Sequence, residues 1–465
     1  MNSLSGAWAA VVLALFLSLP SVTLATELPK DATVLDGDIV FYSWPYPSVS
    51  PDGQWVAYIS QGYVCVCNVT APARRRIMEM PNSWTWPKFV AGSGESKLTG
   101  NFQSLSHGRG RDEYRKVLAQ VTKSIYGLVW KYDSTGFVFG VQDQAAGESN
   151  GYFTTVDGTI SKIVHVDANT KTRTAIVGTL SRDGRFLVSP GSMQNQGIDR
   201  PLIWNISENK PRATGFLYLI PSATSDRWLG VEKDSQQLVI ADKDFEVVQR
   251  FNETRSEKTF GFELQWSPDE KFIIWRNQIG FDYYSNWEGF WMDLTTGEKK
   301  ELVGHYMGEQ ILFTGRGGEF VRCGQDGVPS KLMSGSQVTG AHLTIDPGGK
   351  GQPKDIWRTT VDPSNRNPAL ITNLAGNGPL RMSPDANLFA VVLPKMDGNR
   401  VKGLWHLMSR EGRTWKFPGD DIGEFISPYD LVGFAANGQK IVAFDSSRLF
   451  SIPVSSVMTD ANLIK

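Results

Sequence analysis

The sequence predicts an all-β fold: a β-propeller of seven or eight four-stranded blades, eight preferred, with its ring closed by an N-terminal strand and one short helical insertion. Three observations carry this. A small polar turn followed at once by an alternating apolar strand recurs along the chain. The copies are spaced at the interval that four short antiparallel strands and their turns consume, and the two ends of the chain carry complementary parts of one blade.

Four copies are strong. Ser50-Pro51-Asp52-Gly53 leads into Trp55-Val56-Ala57-Tyr58, and Ser181-Arg182-Asp183-Gly184 into Phe186-Leu187-Val188. Ser267-Pro268-Asp269-Glu270 leads into Phe272-Ile273-Ile274-Trp275, and Ser383-Pro384-Asp385-Ala386 into Leu388-Phe389-Ala390-Val391. Weaker copies are centred on Gly136, Asp226, Gly318 and Gly438. The steps between anchors Gly53, Gly136, Gly184, Asp226, Glu270, Gly318, Ala386 and Gly438 are 83, 48, 42, 44, 48, 68 and 52 residues. Most fit one blade of ~40–50 residues. The two long steps imply insertions, read as a helical one at about 104–125 and a long loop at about 325–375.

One unit can be followed strand by strand. Leu264-Gln265-Trp266 is an inner strand, Phe272–Arg276 the second, Gly289–Leu294 the third, and Lys299–Val303 the outer one after the Thr295-Thr296-Gly297-Glu298 turn. Asp and Gly supply the turn geometry, and β-branched and aromatic residues fill the strands. Such a unit cannot bury both faces alone, and radial stacking leaves only short, protected edges. After Gly438 the chain offers Ile441–Phe444 and Leu449–Val454, one strand short of a unit. Ile39-Val40-Phe41-Tyr42 is read as the missing outer strand.

Composition narrows the function classes. A chain of 465 residues with 41% apolar and 11% aromatic residues builds a sizeable core. A net charge of −1 gives no reason to expect nucleic acid or an anionic membrane as partner. Residues 7–19 form one apolar run closed by Pro20, and Thr23-Leu24-Ala25 carries small residues where a signal peptidase reads. This pattern reads as a signal peptide over 1–25, leaving 26–465 as a single propeller domain of a secreted or periplasmic protein. The run is too short for a bilayer core that needs ~20 residues, so no membrane span is expected after cleavage. Cys65 and Cys67 alternate with valines on one strand, and Cys323 is the third cysteine. Two cysteines at that spacing would make a strained disulfide, so buried thiols are expected.

The Ser-Pro-Asp-Gly turn with its following strand resembles the TolB-like propeller repeat, which also occurs in the propellers of dipeptidyl peptidase IV and its prolyl oligopeptidase relatives. The resemblance covers most of residues 32–456. It implies architecture only, because the repeated residues shape a turn and contact no substrate. Propellers of this kind serve as periplasmic partner-binding proteins, as gating domains of peptidases and as carbohydrate-active enzymes, so function is left to the site.

Candidate chemistry is sparse. Gly147-Glu148-Ser149-Asn150-Gly151 matches a nucleophile pattern but lies between strand-like segments, without the strand-to-helix elbow or a following hydrolase domain. The five histidines, His107, His165, His305, His342 and His406, have no close metal spacing. No cofactor and no metal site is assigned. Recognition residues stand out more. Phe281–Trp291 is dense in aromatics, and Tyr283, Tyr284 and Trp287, read as lying in the loop before the strand that holds Phe290 and Trp291, give rigid contact area with polar tips for a peptide or sugar ring. The plainer reading is packing between blades. Residues 112–125 carry apolar residues at helical spacing with Asp112 placed to cap them, beside the basic stretch His107-Gly108-Arg109-Gly110-Arg111. Here too the plainer reading is a helix covering a propeller edge. Arg74-Arg75-Arg76 reads as an outer strand with Arg75 facing opposite the other two.

These features predict an exported, non-catalytic scaffold that binds a protein partner or an extracellular polymer through one face of the ring, with Tyr283, Tyr284, Trp287, Arg109 and Arg111 as contacts. Two alternatives stand beside it: a channel-mouth enzyme such as a metal-assisted carbohydrate lyase or hydrolase, and a peptidase-type propeller separated from its catalytic domain. The TolB-like resemblance implies a bacterial source, so the three Asn-X-Ser/Thr sequons, at Asn68, Asn205 and Asn252, are not expected to carry glycans.

Overall fold

The computed structural model describes residues 28–37, 46–81, 83, 122–166, 178–189, 202–208, 210–212, 214–254, 259–279, 286–302, 310–329, 336–360, 380–397, 400–417, 430–445 and 448–464. They form eight antiparallel sheets, each pairing its strands in chain order, with one exception at the closure. Blade 1 is Ser48–Val49, Trp55–Ser60, Tyr63–Asn68 and Arg75–Glu79; blade 2 is Lys123–Trp130, Gly136–Asp143, Glu148–Thr155 and Ile160–Val166. Blade 3 is Thr179–Leu180, Phe186–Ser189, Leu202–Asn205 and Lys210–Arg212; blade 4 is Phe216–Pro221, Trp228–Glu232, Gln237–Ala241 and Val247–Thr254. Blade 5 is Thr259–Trp266, Phe272–Ile279, Asn286–Asp293 and Lys299–Glu301; blade 6 is Gln310–Phe313, Phe320–Pro329, Ser336–Asp346 and Lys354–Thr360. Blade 7 is Arg381–Met382, Leu388–Asp397, Arg400–Ser409 and Thr414–Lys416; blade 8 begins with Asp430–Ala435, Lys440–Phe444 and Leu449–Pro453. First strands meet across blade boundaries, Ser48–Val49 lying against both Lys123–Trp130 and Asp430–Ala435. The eight-bladed ring is the architecture the repeat predicts.

The repeated turn works the same way in each strong copy. The serine hydroxyl donates to the aspartate two residues on, at 2.5 Å for Ser50–Asp52 and 2.6 Å for Ser181–Asp183, Ser267–Asp269 and Ser383–Asp385. The same oxygen accepts the amide that opens the next strand, at 3.0 Å from Trp55 and 2.9 Å from Phe186, Phe272 and Leu388. One serine thus satisfies the donor that the tight turn would orphan. The fourth residue is left-handed throughout, with φ of 68° at Gly53, 70° at Gly184, 58° at Glu270 and 54° at Ala386. In blade 2 that role falls to Ser134, at φ 61°, two residues before the glycine that the repeat alignment selects.

Alternation along each strand packs one face on the preceding blade and one on the next. Leu264, Ile273 and Trp275 of blade 5 join Leu229, Val231, Leu238 and Ile240 of blade 4, whereas Ile274 and Trp291 join Ile311, Phe313 and Phe320 of blade 6. Trp204, Trp228, Trp275 and Trp405 are fully buried in this way. Burying a large apolar side chain contributes roughly 1.5–3 kcal/mol, so the inter-blade seams hold the ring together.

Closure follows the predicted principle with a different strand. Thr33–Asp36 pairs antiparallel with Leu449–Pro453, Thr33 opposite Ser451 and Val34 opposite Phe450, and completes blade 8. Ile39–Tyr42, read from sequence as the clasp, lies outside the described residues. A register shift between Val34 and Asp36 turns Asp36 toward blade 1. After Pro453 the chain makes one helical turn, Val454–Val457, then adds Leu463–Ile464 beside Thr414–Lys416 as a fifth strand of blade 7.

Other expectations meet the structure as follows. The predicted signal peptide, 1–25, lies outside the described residues, as does the helical stretch up to residue 121. Its last residues, Lys123–Ile125, open a strand in which Ile125, Tyr126, Val129 and Trp130 favour the ladder with Gly136–Asp143. Much of the loop read over about 325–375 is regular: Ser336–Asp346 and Lys354–Thr360 are the third and outer strands of blade 6. Cys65, Cys67 and Cys323 are buried thiols, not joined in disulfides. Arg74 reaches Asp36 of blade 8 whereas Arg75 bonds the Val156 carbonyl of blade 2, the opposite facing that alternation predicts.

Candidate functional site

Strand direction alternates within every blade, so the two faces of the ring receive different connections. First-to-second and third-to-fourth connections leave from one face, here termed the turn face. Second-to-third connections and those between blades leave from the other.

The turn face is short and satisfied. Its connections are all short, the longest among the described strands running from Asp346 to Lys354. Neighbouring turns also hold one another. The Asp52 amide donates to Ser134 Oγ at 3.0 Å, the Ala436 amide to the Gly53 carbonyl at 2.9 Å, and Arg316 to the Asp385 carbonyl at 2.8 Å and Asn387 at 2.7 Å. Arg410 of blade 7 forks onto Glu319 of blade 6. Glu270 of blade 5 accepts from Ser222, from Thr224 at 2.7 Å and from Arg227, all on blade 4. Burial would raise the Glu270 carboxyl, but these hydroxyls and the guanidinium outweigh it and bring it down to about 2. Between blades 3 and 4 the turns leave a shallow, open dent lined by Arg182, Asp183, Arg185, Asp226, Arg227 and Lys243 among others. Asp183 holds Arg185, Glu270 holds Arg227 and Asp244 holds Lys243, so its charges largely cancel.

The opposite face receives the long connections. Between described strand ends these run from Glu79 to Lys123, Val166 to Thr179, Ser189 to Leu202, Glu301 to Gln310, Thr360 to Arg381 and Lys416 to Asp430, with shorter ones from Ile279 to Asn286 and Pro329 to Ser336. Long connections on a rigid scaffold are where binding residues concentrate.

The residues chosen from sequence fall as follows. Arg109, Arg111, Tyr283 and Tyr284 lie outside the described residues. Trp287 is not in a loop: it is the second residue of Asn286–Asp293, opposite Gln278, because the ladder of blade 5 extends to Ile279–Asn286. The strand ends bracketing 280–285 and those bracketing 84–121 share the face opposite the turns. Downstream, Trp291 is 3% exposed and its indole donates to the Gly318 carbonyl of blade 6 at 2.8 Å, the inter-blade packing that the plainer reading foresaw for that strand.

Candidate chemistry resolves simply. Ser149 is buried in the third strand of blade 2, opposite Gln142, with no elbow around it. His107 and His305 lie outside the described residues. His342 is buried in blade 6, and Asp355 near it is held below the ordinary carboxylate range, chiefly by Arg358. Among the described residues no three His, Cys, Asp or Glu side chains are grouped to hold a metal, and no helix is long and apolar enough to cross a membrane. Sequence reasoning missed the inter-blade bridges of the turn face. Their signal was present at Glu270, which occupies a position where glycine is the easy choice.

No known family profile matches the chain, and no curated protein matches it in sequence. Solved structures similar to it include the β-propeller domain of the Trilobed protease from Pyrococcus furiosus, at TM-score 0.39 and 11% identity over 93% of this chain and 99% of that one. A prolyl endopeptidase is similar at TM-score 0.44 and 13% identity over 93% of this chain and 50% of that one. Dipeptidyl peptidase 4 of Porphyromonas gingivalis gives TM-score 0.43 and 12% identity over 72% of this chain and 53% of that one. The chain thus spans about half the length of these two peptidases.

Proposed function

We propose that this chain is an exported β-propeller that binds a protein or polymer partner on the face opposite its Ser-Asp turns, with Tyr283, Tyr284, Trp287, Arg109 and Arg111 contributing contacts. The observation that carries this reading is the inequality of the two faces. The turn face uses its polar groups on itself, within each turn and across blade boundaries. The strand ends on the other face carry the longest connections, among them that from Glu79 to Lys123, which includes Arg109 and Arg111, while Tyr283 and Tyr284 belong to the shorter one from Ile279 to Asn286. Aromatic residues with polar tips beside arginines suit peptide and sugar surfaces, where a few rigid anchors carry most of the binding energy.

The test is capture with mild cross-linking from the organism's own envelope fraction, using the chain from Thr26 and a Tyr284→Ala/Trp287→Ala double variant. The reading expects a stoichiometric partner that the double variant fails to hold while its melting temperature stays unchanged. Unfolding of the variant would make that segment structural. Undiminished capture would move the interface elsewhere.

A further inference from the structure

We infer that the ring is latched twice, and that the segment Val454–Ile464 is a strap that controls release of the N-terminal strand from blade 8. The N-terminal strand is short: Thr33–Asp36 contributes four residues to its sheet. Four residues of edge pairing would fray readily on their own. Its hold is extended at both ends. Toward blade 1, Asp36 accepts from the Tyr58 hydroxyl at 2.8 Å and from Arg74 at 3.4 Å. Toward blade 7, Leu28 and Ala32 pack into the cluster that also takes Val454, Val457 and Leu463 of the strap.

The strap is built to stay in place. Val457 is fully buried and Val454 nearly so, within a cluster that joins Trp405, Trp415 and Phe417 of blade 7 to Phe434, Phe450 and Ile452 of blade 8. The Asn462 carboxamide donates to the carbonyls of Ser456 at 3.1 Å and Val457 at 3.0 Å, fixing the bend. The Lys416 amide donates to the Asn462 carbonyl at 2.9 Å, and Leu463–Ile464 then pairs with Thr414–Trp415. The strap therefore crosses the seam between blades 7 and 8, and its apolar side chains share a floor with those that precede the N-terminal strand. Leu28 and Ala32 share that floor with Val454, Val457 and Leu463, so loss of the strap removes part of what they pack against. The two ends of the chain are predicted to open as one unit.

Native-state hydrogen exchange on the full chain tests this without a mutation. The amides of Thr33–Asp36 and of Lys416, Leu463 and Ile464 are expected to share one opening rate, distinct from the rate of the Trp55–Ser60 strand. Independent rates for the two ends would overturn the inference. A Leu463→Asp variant, which keeps chain length, supplies the second arm. Loss of the strap should speed proteolytic cutting before Ser48 at least about tenfold while cutting elsewhere is little changed. Unchanged cutting before Ser48 would overturn it, and so would a uniform rise at all sites. Exchange in the full chain remains decisive if the variant does not fold.

Discussion

The Tyr58 hydroxyl donates to Asp36 Oδ2 at 2.8 Å, joining the second strand of blade 1 to a strand 22 residues earlier that belongs to blade 8. Both residues are buried, Tyr58 completely. Burial first, then the neighbouring Cys65 and Asp36, pushes the phenol far above its ordinary range, so it remains a donor at any pH the protein meets. This bond and the Arg74–Asp36 pair add side-chain polar contacts to the strand pairing that closes the ring.

Replacing Tyr58 by Phe keeps the ring's volume and removes the donor. Asp36 then loses its 2.8 Å hydrogen bond inside a buried site, so the expected loss is about 1–3 kcal/mol, the cost of removing one partner of a buried acceptor. Chemical denaturation of the variant measures it. A loss below ~0.5 kcal/mol would show that the Tyr58 bond contributes little to the closure.

The repeated serine is the second test. Ser383→Ala removes a hydroxyl that donates to Asp385 at 2.6 Å and accepts the Leu388 amide at 2.9 Å, and should cost about 1–2 kcal/mol. Blade 2 supplies an internal control. Lys131 stands where the serine would be; its ammonium pairs with the half-exposed Asp133 and makes no bond to the strand-opening amide, so Lys131→Ala should cost less than Ser383→Ala, below ~1 kcal/mol. Equal losses at the two positions would show that the serine network is incidental to the turn.

The thiols give a third. Burial pushes Cys65 up to about 12 and Cys67 up to about 11, so neither offers appreciable thiolate at neutral pH. Native protein should resist iodoacetamide at all three cysteines for hours and react fully once unfolded. Rapid labelling of one thiol in the native state would mean that blade 1 or blade 6 opens locally.

The blades were legible because their signals are local. A Ser-x-Asp turn and alternating apolar residues specify a turn and a strand within a dozen positions, as Ser267–Trp275 shows. The closure was legible in principle but not in its particulars, since Thr33–Asp36 is four residues long and its partner stands at the other end of the chain. Nothing local distinguishes it from Ile39–Tyr42. Leu463–Ile464 was missed for the same reason: two residues form a strand only because the edge of blade 7 is there to receive them. At the candidate site, Trp287 was read as a loop residue because the aromatic run continues across the strand boundary without a break in composition.

Close approach at one seam gives a fourth prediction. A Cβ on Gly318 would lie 2.5 Å from the Trp291 ring and 2.9 Å from Phe272, and Trp291 is fixed by its bond to the Gly318 carbonyl. Gly318→Ala must therefore push blades 5 and 6 apart, at about 1–3 kcal/mol, the usual cost of overpacking. A red shift in tryptophan emission should accompany the lower melting temperature. Stability at the wild-type level would mean that the turn relaxes freely there.

Glu270 makes the ring sensitive to acid. Its carboxyl, ordinarily near 4.5, is held at about 2 in the folded chain, against the effect of burial, by Ser222, Ser225, Thr224 and Arg227. The unfolded chain therefore takes up this proton at higher pH than the folded one. The stabilisation is complete above pH 4.5 and is lost as pH falls from there toward 2. Glu270→Gln cannot ionise, so it should be less stable than wild type at pH 7 and should approach wild type as acid protonates the native glutamate. Urea midpoints of the two proteins, followed from pH 7 to pH 2.5, should converge. Parallel curves would show that the carboxylate contributes nothing to holding blade 4 against blade 5.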